Sequence, residues 1–255
     1  MRADSLTHTL AGADEARVVQ FSDTHISHRD GVPPPLAALL DRLDDDPPDL
    51  LVVTGDIVLE DPDDAADREY AHAVLSGAPC PVVAIPGNHD IGFYGEDVDR
   101  PRRVAAFADR WGSDRFAVDV AGWRLVGANA YLLDDAEHDR WLHDAVTGGL
   151  PTIVFIHQPQ TGGEPRDGWE TPPWARDAFE SATDAGDIRL IASGHRHRSI
   201  HRDRTVWAPS TTIVGETHPD GTDPALGAVD YTFHRGGDVD VRFMRSVTDG
   251  ARHHP

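Results

Sequence analysis

Short apolar runs recur along the chain, and most of them stop abruptly at a glycine, aspartate or histidine. Arg17–Ser22 (RVVQFS) predicts a first strand ending at Asp23, and Asp49–Thr54 (DLLVVT) a second, buried one ending at Gly55-Asp56. Pro81–Ile85 predicts a third, followed by a loop at Gly87–Asp90. Between them, Pro34–Leu43 and Asp64–Leu75 carry apolar residues at helical spacing. Strand and helix in alternation predict a parallel sheet with helices packed outside it.

The second half continues the pattern less regularly. Val98–Trp111 reads as a helix, and Arg115–Val120 with Trp123–Ala128 as a hairpin about Ala121-Gly122. A further helix is expected at Ala136–Val146, then a strand at Thr152–Ile156 that presents His157. Gln158–Pro173, rich in Gly, Pro and Trp, reads as a loop on a site rim. Ile188–Ala192 leads to Gly194–His197, and short strands with turns at Asp220-Gly221 and Gly236-Gly237 fill roughly Arg204 to Arg245. The expectation is an α/β architecture of two stacked mixed sheets flanked by helices. It divides into an N-terminal extension (1–16), one domain (17–248) and a flexible tail (249–255).

Composition narrows the function. A chain of 255 residues with 39% apolar residues can bury one sizeable core. No stretch approaches the ~20 apolar residues that span a bilayer, and Met1 to Glu15 has no apolar signal-like run. The single cysteine, Cys80, excludes an internal disulfide and reads as a buried packing residue, so a cytoplasmic location without membrane contact is expected. The chain contains no lysine, and 44 acidic residues against 23 arginines give a net charge of −21. Such a surface repels polyanions and argues against nucleic-acid binding. The same composition fits a salty cytoplasm or GC-rich codon usage.

The polar residues at the strand ends carry the chemistry. Asp23-Thr24-His25, Gly55-Asp56, Gly87-Asn88-His89-Asp90, His157 and Gly194-His195-Arg196-His197 each follow a predicted strand, where open α/β sheets place reactive groups. Asp23 and His25, like His195 and His197, are two residues apart, so an extended backbone would turn both side chains to one face. Asp56 is the candidate carboxylate to bridge two cations about 3.5–4 Å apart. Asn88 adds a neutral oxygen and His157 an imidazole. Hard oxygens mixed with imidazoles suit iron, manganese or zinc better than calcium or magnesium.

The string D-x-H, G-D, G-N-H-D, H, G-H-x-H resembles the calcineurin-like metallophosphoesterase superfamily, and most of all its bacterial class III cyclic nucleotide phosphodiesterases. The resemblance covers roughly Val18 to Thr212. It implies a four-layer α-β-β-α sandwich and two divalent or trivalent ions. Asp23, His25, Asp56 and His197 would hold the first, and Asp56, Asn88, His157 and His195 the second. His89 would face the substrate phosphate and protonate the leaving oxygen, with Asp90 either orienting it or capping the next turn. Gln158 stands where many cyclic nucleotide enzymes have a second histidine. The implied partner is a small phosphate ester, a nucleotide by preference. A phosphomonoesterase and a non-catalytic metal-binding module are the other readings, and a homodimer is one option for assembly.

Remaining polar and aromatic residues received plainer expectations. Arg196, Arg198, His201, Arg202 and Arg204 form a basic cluster that reads as a solvated face paired with nearby Asp, with local attraction of an anionic substrate as the other reading. Trp169 and Trp174 could stack on a nucleobase or pack a lid. Pro209-Ser210-Thr211 resembles a stretch of the cyclic nucleotide group. His28, His72, His138, His143, His218, His234, His253 and His254 match no motif and are expected at the surface.

Overall fold

The computed structural model describes residues 10, 12–59, 62–96, 98–160, 171–213 and 226–246. Its strands are β1 (Glu15–Phe21), β2 (Leu50–Thr54), β3 (Val82–Ile85), β4 (Phe116–Val120), β5 (Trp123–Ala128), β6 (Thr152–Ile156), β7 (Ile188–Ser193), β8 (Ile200–Arg202), β9 (Thr205–Trp207), β10 (Gly227–His234) and β11 (Val239–Arg245). Its helices are α1 (Pro34–Asp45), α2 (Ala65–Ser76), α3 (Asn88–Ile91), α4 (Arg100–Trp111), α5 (Ala136–Val146) and α6 (Pro173–Thr183). One sheet has the order β11-β10-β1-β2-β3 and the other β4-β5-β6-β7-β9-β8. The first pairs β1, β2 and β3 in parallel, with β10 antiparallel to both its neighbours. In the second, β5, β6, β7 and β9 are parallel, while β4 and β8 are antiparallel edges.

Alternation along the strands creates the layers. Val18, Leu50, Val52 and Tyr231 from one sheet meet Leu125, Ile153, Phe155 and Leu190 from the other in a shared apolar core. Their neighbours Val19, Phe21, Leu51 and Val53 turn the other way, into a core completed by Leu36, Leu39 and Leu43 of α1 and Leu75 of α2. On the second sheet, Val154 and Ile156 point out towards the same class of helix-covered core as Leu142 of α5 and Phe179 of α6. Central strands buried on both faces therefore read as continuous apolar runs rather than alternating ones. Pro34 and Pro35 begin α1, where a missing N–H costs nothing, and Asp64 caps α2 by accepting from the Ala66 amide at 2.8 Å. The four-layer sandwich expected from the sequence is the observed one.

Three local differences have physical reasons. Gly87–Asp90, expected as a loop, opens the short helix α3, because the Asp90 carboxylate accepts from the Gly87 amide at 2.8 Å. Helix α6 was hidden by its prolines: Pro173 sits in the first turn, and Ala175, Phe179 and Ala182 bury at helical spacing behind it. Strand β8 is only three residues long and carries His201 and Arg202 outwards. Such a charged, short edge resists pairing with other chains. Strand β1 begins at Glu15, and Leu10 is buried in the inter-sheet core, where its carbonyl accepts from the Ala121 amide at 3.0 Å. The Gly236-Gly237 turn joins β10 to β11 as expected. Asp220-Gly221 and the expected tail lie outside the described residues. Cys80 is only partly buried against the helix-covered core, and that burial pushes its thiol up to about 11. Among the described residues, no helix is long and apolar enough to cross a membrane.

Candidate metal centre

All five motifs leave the C-terminal ends of strands, where the two sheets face each other. Asp23 and His25 follow β1, Asp56 follows β2, Asn88 to Asp90 follow β3, His157 follows β6, and His195 and His197 follow β7. Backbone bonds lace these ends together: Asp23 N–H to Gly55 O at 3.0 Å, His25 N–H to Asp56 O at 3.0 Å, and Gly194 N–H to His157 O at 3.0 Å. Among the described residues, seven non-glycine residues have positive φ, and five of them are Asp23, His25, Asp56, His195 and His197. Each such conformation costs about 1–2 kcal/mol, so the surrounding bonds over-determine the site. Extended strands do not aim these side chains, as the two-residue spacing had suggested; sharp turns do. Two glycines make room for the crowding. A Cβ on Gly55 would sit 2.7 Å from His157 Nδ1, and one on Gly194 would sit 2.7 Å from Asp23 Oδ2 and overlap the Ser22 hydroxyl.

The Asp56 carboxylate lies between two groups of side chains. Its Oδ1 is 3.3 Å from His157 Nε2 and accepts from the His89 amide at 2.9 Å, while its Oδ2 is 4.0 Å from both His25 Nε2 and His89 Nε2. On the His157 side, Asn88 Oδ1 is 3.2 Å from His157 Nε2 and accepts from the Tyr131 hydroxyl at 3.2 Å. On the other side, Asp23 Oδ1 is 3.2 Å from His197 Nε2, and Asp23 Oδ2 accepts from Ser22 Oγ at 2.5 Å and the His195 amide at 3.0 Å. The ligand atoms of Asp23, His25 and His197, of His25, Asp56 and His89, and of Asp56, His157 and His195 lie within 4.8 Å of one another in each trio.

These donors fit a pair of cations. His157 Nδ1 lies 2.7 Å from the Thr54 carbonyl, which can only accept, so that nitrogen carries the proton and Nε2 is left to face Asn88 Oδ1 and Asp56 Oδ1. Three acceptor atoms that converge in this way need a proton or a cation between them. His25 is buried with neither ring nitrogen hydrogen-bonded, which is costly unless something else takes those lone pairs. Electrostatics supply the matching protonation states. Burial lowers His25 to about 4 and His195 to about 3, keeping both imidazoles neutral. Burial opposes charge on Asp23 and Asp56, yet His197 brings Asp23 down to about 2, and His157 holds Asp56 well below the usual carboxylate range. Burial also resists charge on His157, but Asp56 and Asp23 raise it to about 9. A proton and a cation therefore compete for the same lone pair.

Other residues sit differently from the sequence expectation. Asp90 does not orient His89: its carboxylate accepts from the Gly87, Ile57 and Val58 amides, fastening the Asn88 turn to the Asp56 turn. Burial and the Asp56 charge raise Asp90 to about 6, although those amides favour its anion. The Leu59 carbonyl instead holds His89 Nδ1, at 2.5 Å, which leaves Nε2 free of that bond and 4.0 Å from Asp56 Oδ2. His138, expected at the surface, is fully buried and accepts the Asn129 amide at 3.1 Å. Arg196 is buried with its guanidinium 5.6 Å from the centre of the Trp207 ring, so it does not belong to a solvated face. Trp174 packs edge-on against Tyr94 at 5.4 Å on α6 rather than lining the cleft. Trp169 and His218 lie outside the described residues.

Sequence reasoning missed the supports. Ser22 and Tyr131 bond directly to candidate ligands, and Ser210 Oγ and Thr212 Oγ1 donate to the Asp23 carbonyl at 2.8 and 3.1 Å. Only the Pro209-Ser210-Thr211 resemblance pointed towards one of them, since lone hydroxyls carry no spacing signal.

Comparison with known proteins agrees with this geometry. Residues 16–199 match the family model described as calcineurin-like phosphoesterase. A serine/threonine-protein phosphatase of Bos taurus, CPPED1, is 32% identical over 136 residues, covering 47% of this chain and 42% of the bovine protein. A probable cyclic nucleotide phosphodiesterase of Synechococcus is 26% identical over 196 residues, covering 71% and 69% respectively. The chain thus spans less than half the length of the bovine relative. Among solved structures, a purple acid phosphatase from yellow lupin (Lupinus luteus) superposes with a TM-score of 0.71 at 14% identity, over 93% of this chain and 52% of that one. That likeness shows the fold alone; the segment 16–199 matched by the family model contains the Asp23, Asp56, Asn88, His157 and His195 turns. The chain belongs to the calcineurin-like phosphoesterase family.

Proposed function

We propose that this chain hydrolyses phosphodiesters with two metal ions, and that 3′,5′-cyclic nucleotides are the natural substrates it fits best. Asp23, His25, Asp56 and His197 would hold one ion, and Asp56, Asn88, His157 and His195 the other. The observation that carries the reading is the two-sided setting of Asp56, with Oδ1 3.3 Å from His157 Nε2 and Oδ2 4.0 Å from His25 Nε2. Iron, manganese and zinc all suit this donor set. When bound, such a pair lowers the pKa of water and neutralises charge on the phosphate.

The chain's own residues then orient and protonate. Hydrogen bonds from the His195 amide and Ser22 fix the Asp23 carboxylate, and Thr54 fixes the His157 tautomer. His89 donates its Nδ1–H to the Leu59 carbonyl, which turns its half-exposed Nε2 to the cleft; in the imidazolium form Nε2 carries a second proton, and that proton would pass to the departing oxygen. A sugar alkoxide is a poor leaving group, so this donation supplies part of the rate. The name of the Synechococcus relative supports a cyclic nucleotide, whereas that of the bovine relative favours a phosphomonoester as the second reading.

Metal analysis and turnover with manganese test the proposal. Bis-nitrophenyl phosphate and cyclic AMP should be hydrolysed faster than nitrophenyl phosphate. His89→Ala should damage cyclic AMP turnover far more than turnover of nitrophenyl esters, whose leaving group needs no proton. Two bound ions with no turnover of any ester would favour a non-catalytic module. Faster monoester turnover would favour the phosphatase.

A further inference from the structure

Three apolar side chains border a cleft that is otherwise built of metal-ligand types. Leu59, Phe93 and Ile213 line it beside the residues of the candidate centre, and it encloses about 320 Å³. Phe93 lies just beyond α3, its ring stacked on His195 at 5.9 Å with 28° between the planes. Tyr94 and Tyr131 back it at 5.7 and 6.1 Å, which holds the ring in place. Ile213 is 37% exposed, a large apolar group left facing water. The Leu59 carbonyl holds His89, so this apolar wall borders the side from which the leaving group would depart.

Charge restricts the ligand further. No arginine is among the described residues that line the cleft, the sequence has no lysine, and the chain carries a net −21. Among the described lining residues, a second negative charge on a ligand would find no arginine, and the surrounding field opposes it. A single phosphate charge is met by the centre itself.

We infer that the cleft selects singly charged phosphodiesters bearing a planar or apolar ester group, with Phe93 as the specificity-determining residue and Leu59 and Ile213 completing the contact. The inference rests on the phosphoesterase reading and adds the chemistry of the group that reading leaves open. Stacking and apolar contact of one ring against Phe93 predict a preference of about tenfold.

The test separates binding from turnover. Manganese-loaded protein is titrated calorimetrically with diphenylphosphinate and with dimethylphosphinate, two singly charged anions that cannot be hydrolysed. The wild type should bind the diphenyl compound about tenfold more tightly. Phe93→Ala should bring the two affinities together, and Phe93→Tyr should restore the gap. Phe93 touches His195, so the metal content of each variant is measured alongside. If Phe93→Ala loses metal or fails to fold, Ile213→Ala carries the same comparison, with an expected loss of about threefold in the ratio. Equal binding of both anions by the wild type, or a ratio that neither Phe93→Ala nor Ile213→Ala moves, overturns the inference. Tighter binding of doubly charged phenylphosphonate than of diphenylphosphinate overturns its charge component. Turnover of bis-nitrophenyl phosphate without this preference removes the inference and keeps the phosphodiesterase. The preference without any turnover does the reverse.

Discussion

Around Asn88 and His157, orientation comes from fixed donors and acceptors. The Thr54 carbonyl sets the His157 tautomer, the Tyr131 hydroxyl meets Asn88 Oδ1, and His157 has no exposed surface. Around His25 and His197 the arrangement is looser, although Asp23 between them is fixed by Ser22 and the His195 amide. His25 has neither ring nitrogen hydrogen-bonded, and His197 is partly exposed and faces Asp23. Asp23, His25 and His197 take positive φ values of 41–54°, as Asp56 and His195 also take positive φ, and hydroxyls on the Asp23 carbonyl support this side from outside. In the proposed centre, one half would thus be set before a cation arrived, and the other completed by it. The expectation is one tightly held ion on the His157 side and one that exchanges more readily.

Acid should weaken the support behind Asn88. His138 accepts the Asn129 amide, Asn129 Oδ1 accepts the Tyr131 amide at 3.0 Å, and Tyr131 reaches Asn88. Burial lowers His138 to about 4, against the pull of Asp114, Asp135 and Asp139 and with some help from Arg115. The unfolded ring titrates near about 6.5, so the folded state binds fewer protons between those two values. The stabilisation is complete above about pH 6.5 and is lost as pH falls to about 4, for a change on the order of 3 kcal/mol. Urea unfolding of wild type and His138→Gln at pH 7 and pH 4.5 checks this: the stability gap between them should narrow in acid.

Tyr131→Phe sharpens the same comparison by removing a single oxygen. Because that hydroxyl bonds to a ligand oxygen, one of the two manganese-binding steps should weaken by about 10–100-fold, with the other nearly unmoved. Calorimetric titration resolves the two steps; equal weakening of both would place Tyr131 outside the firmer half. Ser210→Ala probes the looser half. It removes a donor to the Asp23 carbonyl and the acceptor for the Thr212 and Ile213 amides, at a cost of about 1–2 kcal/mol in unfolding free energy. Its metal effect should fall on the step that Tyr131→Phe leaves alone.

The strand ends were legible because buried parallel strands write themselves as unbroken apolar runs, and a polar residue after each run must sit at a sheet's rim. DLLVVT followed by Gly55-Asp56, and TIVFI followed by His157, are the clearest instances. What the sequence could not convey was which bonds hold those residues. Tyr131 lies 43 positions from Asn88 and Ser210 187 positions from Asp23, and no period links them. Helix α6 was obscured because Pro172 and Pro173 read as loop signals, although proline at a first turn is compatible with a helix. His138 was invisible for a similar reason: on an acidic amphipathic helix its burial depends on α5 packing against Asn129, a contact set by tertiary structure.

A dinuclear centre here requires Asp56 to be shared by both halves. Electron paramagnetic resonance of the manganese-loaded protein reads that directly, because two ions joined by one carboxylate couple magnetically. The wild type should give the coupled spectrum of a dinuclear centre, and Asp56→Asn the spectrum of isolated ions with phosphodiester turnover reduced by about a thousandfold or more. A wild-type spectrum of uncoupled ions, or a coupled pair that persists in Asp56→Asn, would contradict a carboxylate shared through Asp56.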